Sequence, residues 1–221
     1  QMSTTARIQQ GMALLGAGRA DEAAALLEQA LVWDPNNTTL LNNLAIAYLR
    51  QGRLDQAHET LQQALRLDDG KFSTYLNLSS WALRSRKPEQ ALEYADAAVA
   101  RAGELYQTHL NRSRVQVFMG RHKEALGSLE SAARLNSRSP EPFAMLADQQ
   151  VRLGRFEQAE SNYRDAINVA PDFFPAYLGL AHIYKSKGQQ EEAERAVQTA
   201  AELAPGHPAV ANAAKQLENR Q

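Results

Sequence analysis

Cysteine is absent from this 221-residue chain, which excludes disulfide staples, thiolate chemistry and Cys-type zinc sites. No apolar run approaches 18 residues, so no membrane-spanning helix and no membrane insertion are expected. A charge of one sign is missing too: 24 Lys and Arg offset 25 Asp and Glu, leaving a formal net charge of −1. The chain therefore carries no overall electrostatic footprint for nucleic acid or anionic lipid. Gly (12) and Pro (8) are too few for a collagen-like or low-complexity chain. A hydrophobic content of 44% with so little net charge excludes intrinsic disorder. The abundant residues are Ala (38) and Leu (28), which lose little side-chain entropy in a helix.

The start, Gln1-Met2-Ser3-Thr4, has no apolar stretch that could serve as a signal peptide. Gln ahead of Met points to a cut natural N-terminus, so a native targeting segment is not excluded. The expected chain is soluble, cytoplasmic or periplasmic, with the compartment left open.

A strict 34-residue period runs through the sequence. Ala23, Ala57, Ala91, Ala125, Ala159 and Ala193 follow at that spacing, and Ala30, Ala64, Ala98, Ala132, Ala166 and Ala200 lie seven residues after each. Five residues before the first set stand Gly18, Gly52, Gly120, Gly154 and Gly188, with Arg86 in the remaining slot. Pro35, Pro171 and Pro205 hold the same phase. Each unit reads as two apolar stripes of helical period separated by a turn such as Gln51-Gly52-Arg53. Gly there supplies the left-handed conformation that ends a helix, and Asp55 or Glu157 suits the start of the next. The repeated alanines belong where two helices approach closely. One such hairpin cannot bury its stripe alone, whereas stacking neighbours builds a continuous core.

These residues resemble the tetratricopeptide repeat family. Repeat 2 offers Leu41, Leu44, Ala45, Tyr48, Ala57, Leu61 and Ala64, with Asp69 where Pro is usual. Repeat 5 offers Phe143, Leu146, Ala147, Gln150, Ala159, Tyr163, Ala166 and Pro171. Repeat 6 offers Tyr177, Leu180, Ala181, Tyr184, Ala193, Val197, Ala200 and Pro205. The resemblance implies an all-α, right-handed α-solenoid of antiparallel helix pairs forming one domain over 1–221. Its repeats would span 4–37, 38–71, 72–105, 106–139, 140–173 and 174–207. A capping helix is expected over 208–221, presenting Val210, Ala213, Ala214 and Leu217 to repeat 6.

Catalytic motifs are missing: there is no phosphate loop, no HExxH and no nucleophile elbow. The five histidines are spread over three repeats at different phases, and none lies three or four residues from another, so neither a metal site nor a cofactor is expected. The chain reads as a non-enzymatic scaffold that binds a protein or peptide partner. Two alternatives are the substrate-recognition arm of a larger enzyme, such as a glycosyltransferase, and a self-associating structural scaffold.

In the family, first helices line a concave groove, with recurring slots at the second, fifth, sixth, ninth and thirteenth residues of each repeat. The sixth slot reads Gln9, Asn43, Asn77, Asn111, Met145 and Gly179. Three successive asparagines are similar to the amide ladders of O-GlcNAc transferase repeat domains, which implies contact with the backbone of an extended peptide. Three amides at a net ~0.5–1.5 kcal/mol each fall short of the roughly 8 kcal/mol that micromolar affinity requires. Further anchors are expected at Arg50, Arg84 and Arg152 in the thirteenth slot with Phe118 between them, at Arg114, and at Asn42. This set favours an extended acidic segment or a terminal carboxylate. The two-carboxylate clamp that holds chaperone tails is not matched, because Ile8, Met12 and Ser73 stand where its polar and basic residues belong.

Repeat 4 departs from the pattern at His109, Arg112 and Gln116, beside Gln149 and Gln150 of repeat 5. Either the two repeats meet across a polar seam, with Arg112 or Arg114 pairing with Asp148, or the first helix of repeat 4 is rotated. Trp81, in a slot usually filled by Ala, suggests looser packing around repeat 3.

Overall fold

The computed structural model describes residues 3–218 and contains thirteen α-helices with no strand among them. They are α1 (Thr4–Gly16), α2 (Ala20–Trp33), α3 (Thr38–Gln51), α4 (Leu54–Leu67), α5 (Phe72–Arg84), α6 (Pro88–Ala102) and α7 (Tyr106–Phe118). There follow α8 (His122–Leu135), α9 (Pro140–Arg152), α10 (Phe156–Val169), α11 (Phe174–Ser186), α12 (Gln190–Leu203) and α13 (Pro208–Glu218). Each 34-residue period thus holds one helix pair, and α13 follows as a half-unit.

The turns inside the pairs share one backbone solution. At α3, Gly52 takes φ 77°, its N–H donates to the Leu49 carbonyl at 3.1 Å, and Arg53 N–H donates to the Tyr48 carbonyl at 2.9 Å. This closes the orphan carbonyls at a helix end in the Schellman manner. Arg86, the one departure from Gly, keeps the geometry: its φ is 57°, and Lys87 N–H donates to the Ala82 carbonyl at 2.8 Å. A non-glycine residue is held there at a cost of about 1–2 kcal/mol.

All twelve periodic alanines are buried, at 0–1% exposure. The residues that pack around them set the helix-pair spacing, with Leu61, Leu78 and Leu129 fully enclosed. Each large aliphatic side chain buried in this way contributes roughly 1.5–3 kcal/mol.

Helix packing divides the chain into two compact units, one ending at Gly103 and the other beginning at Glu104. The first unit holds α1–α6 and the second α7–α13. In the first unit the core is dominated by Leu27, Leu40, Leu41, Leu44, Leu61 and Leu78. Trp81 does not loosen it. That side chain is buried, stacks on His58 with ring centroids 3.9 Å apart, and donates its indole N–H to the Leu54 carbonyl at 3.0 Å.

The second unit has apolar clusters around Leu110, Leu126 and Leu129 and around Tyr163, Leu180 and Ile183. Buried amides link its helices. Ser128 donates to Gln116 at 2.8 Å, His122 pairs with Gln149 at 2.9 Å, and Asn162 donates to Gln150 at 2.9 Å. Repeats 4 and 5 therefore do meet through polar contacts. The expected pairing of Arg112 or Arg114 with Asp148 is corrected: Arg112 donates to Ser128 at 3.0 Å, and Arg114 forms an ion pair with Glu141. Ala213, Ala214 and Leu217 of α13 pack on Ala181, Ala196 and Val197, as a capping helix should. Residues 219–221 of the expected cap lie outside the described residues.

Candidate functional site

The asparagines and arginines expected to form a ligand ladder occupy different environments. Asn42 of α3 is buried, and its amide N–H group donates to the Thr38 carbonyl at 2.8 Å and to the Thr74 hydroxyl at 2.9 Å. Its Oδ1 accepts from Asn77 Nδ2 at 2.9 Å. These bonds fasten α3 to α5. Asn43 is buried as well.

The arginines at the thirteenth slot of the first unit also meet protein. Arg50 donates to the Leu15 carbonyl, and Arg84 Nη1 donates to the Leu49 carbonyl at 2.7 Å. Both carbonyls lie in the last turn of the preceding first helix, where each also accepts a turn N–H, from Gly18 or Gly52 at 3.1 Å, and where the helix dipole favours a cation. The spacing places these side chains at helix ends, but it does not reveal that a guanidinium reaches across to the neighbouring repeat.

In the second unit, Asn111 is buried and its Oδ1 has no hydrogen-bond partner among the described residues. Arg114 is tied to Glu141 of α9. Phe118 is 58% exposed. Asp148 and Arg152 of α9 are the two expected residues that the structure brings to one cavity.

That cavity has a volume of about 710 Å³ and opens to solvent. Val117 of α7, together with Met145, Gln149 and Val151 of α9, lines one side. Pro175, Leu178, Gly179 and His182 of α11 line the other, and Tyr163 reaches in from α10. Gly179 makes the reach possible, because a Cβ at this position would come within 2.2–2.6 Å of three Tyr163 ring carbons. The Tyr163 hydroxyl donates to Asp148 Oδ1 at 2.5 Å.

Asp148 is accessible, yet protein crowds it within the cavity. This partial desolvation pushes its carboxyl above the usual range, against the Tyr163 hydrogen bond and the positive charge of Arg152, which both favour ionisation. Tyr163 is raised well above an ordinary phenol, chiefly by burial and then by the neighbouring carboxylate, so it remains a donor. Arg152 is exposed and makes no hydrogen bond or ion pair among the described residues. No group of three or more His, Cys, Asp or Glu residues that could hold a metal ion occurs among the described residues.

A family model described as tetratricopeptide repeat matches residues 14–81 and 150–217, more than half of the chain. The chain belongs to the tetratricopeptide repeat family. Its fold, paired antiparallel helices of the all-α solenoid class, is that of solved members. One is a thermophilic member from Thermus thermophilus, with TM-score 0.72 and 26% identity over 82% of this chain and 98% of that one. Another is pilF of Pseudomonas aeruginosa, with TM-score 0.75 and 20% identity over 96% and 97% of the two chains. A third is YrrB, described as a tetratricopeptide repeat protein with an unusual peptide-binding site, with TM-score 0.62, 20% identity and coverage of 86% and 97%. No curated protein matches the chain in sequence.

Of the residues lining the cavity, sequence reasoning singled out Asp148 and Arg152 as site residues and missed the rest, Tyr163, Gly179 and His182 among them. The signal was present for Gly179. It stands in a slot that holds a larger side chain in every other repeat, which marks a place where another group must fit.

Proposed function

We propose that this tetratricopeptide repeat chain is a non-enzymatic scaffold that binds an extended segment of a partner protein in the second-unit cavity. A scaffold role in protein–protein interaction follows from the family. The cavity carries the finer reading. It is formed mainly by the first helices α7, α9 and α11, it is walled by Val117, Met145, Val151 and Leu178, and it holds Asp148, Arg152 and His182 at its surface. Apolar walls with a few convergent polar groups are the usual make-up of a recognition site.

The first unit is assigned a different part. Asn42, Asn77, Arg50 and Arg84 spend hydrogen bonds on neighbouring helices, so they hold the array together before they can hold a ligand. Phe118 remains available as a peripheral contact in the second unit, whereas Arg114 is held by Glu141. The likeness to YrrB supports peptide binding on this fold in general terms, since at 20% identity it is a likeness of fold alone.

The experiment is selection of short random peptides displayed against the immobilised chain. Synthetic versions are then titrated against wild type and Leu178→Asp, with circular dichroism confirming the fold. Binding that is lost in Leu178→Asp supports the cavity. Binding that survives unchanged refutes it.

A further inference from the structure

We propose that the second-unit cavity receives a basic side chain, Arg or Lys, carried by an otherwise apolar extended segment, with Asp148 as its counter-charge. The inference rests on the reading of the cavity as the recognition site and adds the chemistry of the occupant. It replaces the acidic segment expected from the arginine count with a ligand of opposite sign.

A carboxylate can accept about four hydrogen bonds, and among the described residues Asp148 accepts one, at Oδ1 from Tyr163. The group is accessible to a ligand, yet it is crowded enough to be partly desolvated, which raises its carboxyl above the usual range. A carboxylate in that condition is stabilised by an incoming cation more than a fully hydrated one is.

Its orientation is also prepared. Gly179 admits the Tyr163 ring against the backbone of α11, and the hydroxyl then holds Oδ1, while Oδ2 accepts no hydrogen bond among the described residues. The lining suits the rest of a basic side chain. Met145 and Leu178 offer apolar surface on opposite sides, and an Arg or Lys stem packs along such surface while its charged end reaches the carboxylate.

The arginines do not favour an acidic ligand. Arg50, Arg84 and Arg114 are engaged with carbonyls or with Glu141. Arg152, exposed one helical turn from Asp148, is a rim charge that opposes a basic ligand and sets how strongly it is held.

The test uses the peptides selected on the intact chain, titrated by fluorescence anisotropy. The selected sequences should share one basic residue among apolar ones. Replacing that residue by a neutral counterpart, citrulline for Arg or acetyl-lysine for Lys, should weaken binding to wild type about tenfold, and binding to Asp148→Asn less than about twofold. Asp148→Glu, which keeps the charge, should retain the preference. Arg152→Ala should tighten binding severalfold, whereas an acidic ligand would be weakened by the same change.

Peptides that need the cavity but show no basic preference overturn this inference and leave the scaffold reading standing. Equal effects of the neutral counterpart in wild type and Asp148→Asn, or weaker binding to Arg152→Ala, do the same. Failure to select any peptide, or peptides indifferent to Leu178→Asp, overturns both.

Discussion

The two units are built from the same 34-residue module, yet they place their polar side chains differently. In the first, a leucine-rich core is held by amides and guanidinium groups on its first helices. Asn42 bridges to Thr74 and Asn77, while Arg50 and Arg84 close carbonyls of the preceding repeat. In the second, buried glutamines and Ser128 take over part of the fastening between helices. The cavity beside them holds the Asp148 carboxylate, which accepts from Tyr163, and the exposed Arg152. A repeat can thus spend its polar groups on its neighbours or on a ligand, and residue type alone does not say which.

The comparison can be broken most forcefully at Gly179. Gly179→Ala brings a Cβ within 2.2–2.6 Å of three Tyr163 ring carbons, and the expected loss lies at the upper end of the roughly 1–3 kcal/mol typical of overpacking. Gly127→Ala, on α8 of the same unit with nothing within 4 Å of the new Cβ, should instead gain about 0.5–1 kcal/mol. Urea denaturation of the two variants tests the contrast. Equal effects would mean that Tyr163 does not depend on the notch.

The fastening role of the first-unit amides predicts the next largest effect. Asn42→Ala leaves the Thr74 hydroxyl without its donor and the Asn77 amide with only its long 3.4 Å bond to the residue 42 carbonyl, at a cost of about 1–3 kcal/mol. Native-state hydrogen exchange should show faster opening of α3 and α5. Asn162→Ala probes the counterpart contact to Gln150 in the second unit, and the faster exchange should then fall on α9 and α10.

A smaller gain is expected from Arg86→Gly. Relief of the left-handed conformation exceeds the added flexibility of the unfolded chain by about 0.5–1 kcal/mol. A higher midpoint in thermal unfolding checks it, and a lower one would show that the Arg86 side chain contributes more than its backbone costs.

The smallest stability effect is expected at Asp148. Its folded carboxyl is raised above the ordinary 3.8, so the folded state binds more protons between that value and the raised one. Stability therefore falls as pH rises through that window, and the ionised carboxylate lowers stability above it. Asp148→Asn should leave the neutral-pH melting temperature unchanged or higher while impairing peptide binding. A clear drop in stability would make Asp148 a structural residue.

Much of the fold was legible because it rests on constraints of volume and backbone geometry. Twelve alanines repeat because two helices leave no space for more, and five glycines repeat because φ is positive there. Arg86 shows that the backbone keeps its form even where the residue departs. The polar meeting of repeats 4 and 5 was legible from Gln149, which finds His122 across the boundary, whereas Gln116 and Gln150 find Ser128 and Asn162 within their own repeats. The site was harder to read. Long side chains such as Arg50 and Arg84 reach a carbonyl of another repeat, and slot counting carries no information about reach. Trp81 was misread for the same reason, since its partner His58 lies on another repeat.

The central claim is that recognition lies in the second-unit cavity while the first-unit asparagines and arginines hold helices together. Its most direct measurement is NMR chemical-shift mapping of a selected peptide on the isotopically labelled chain. The largest changes are expected at Met145, Asp148, Leu178, Gly179 and His182 on α9 and α11. Changes concentrated at Asn42, Asn43, Asn77, Arg50 and Arg84 on α3 and α5 would contradict the claim.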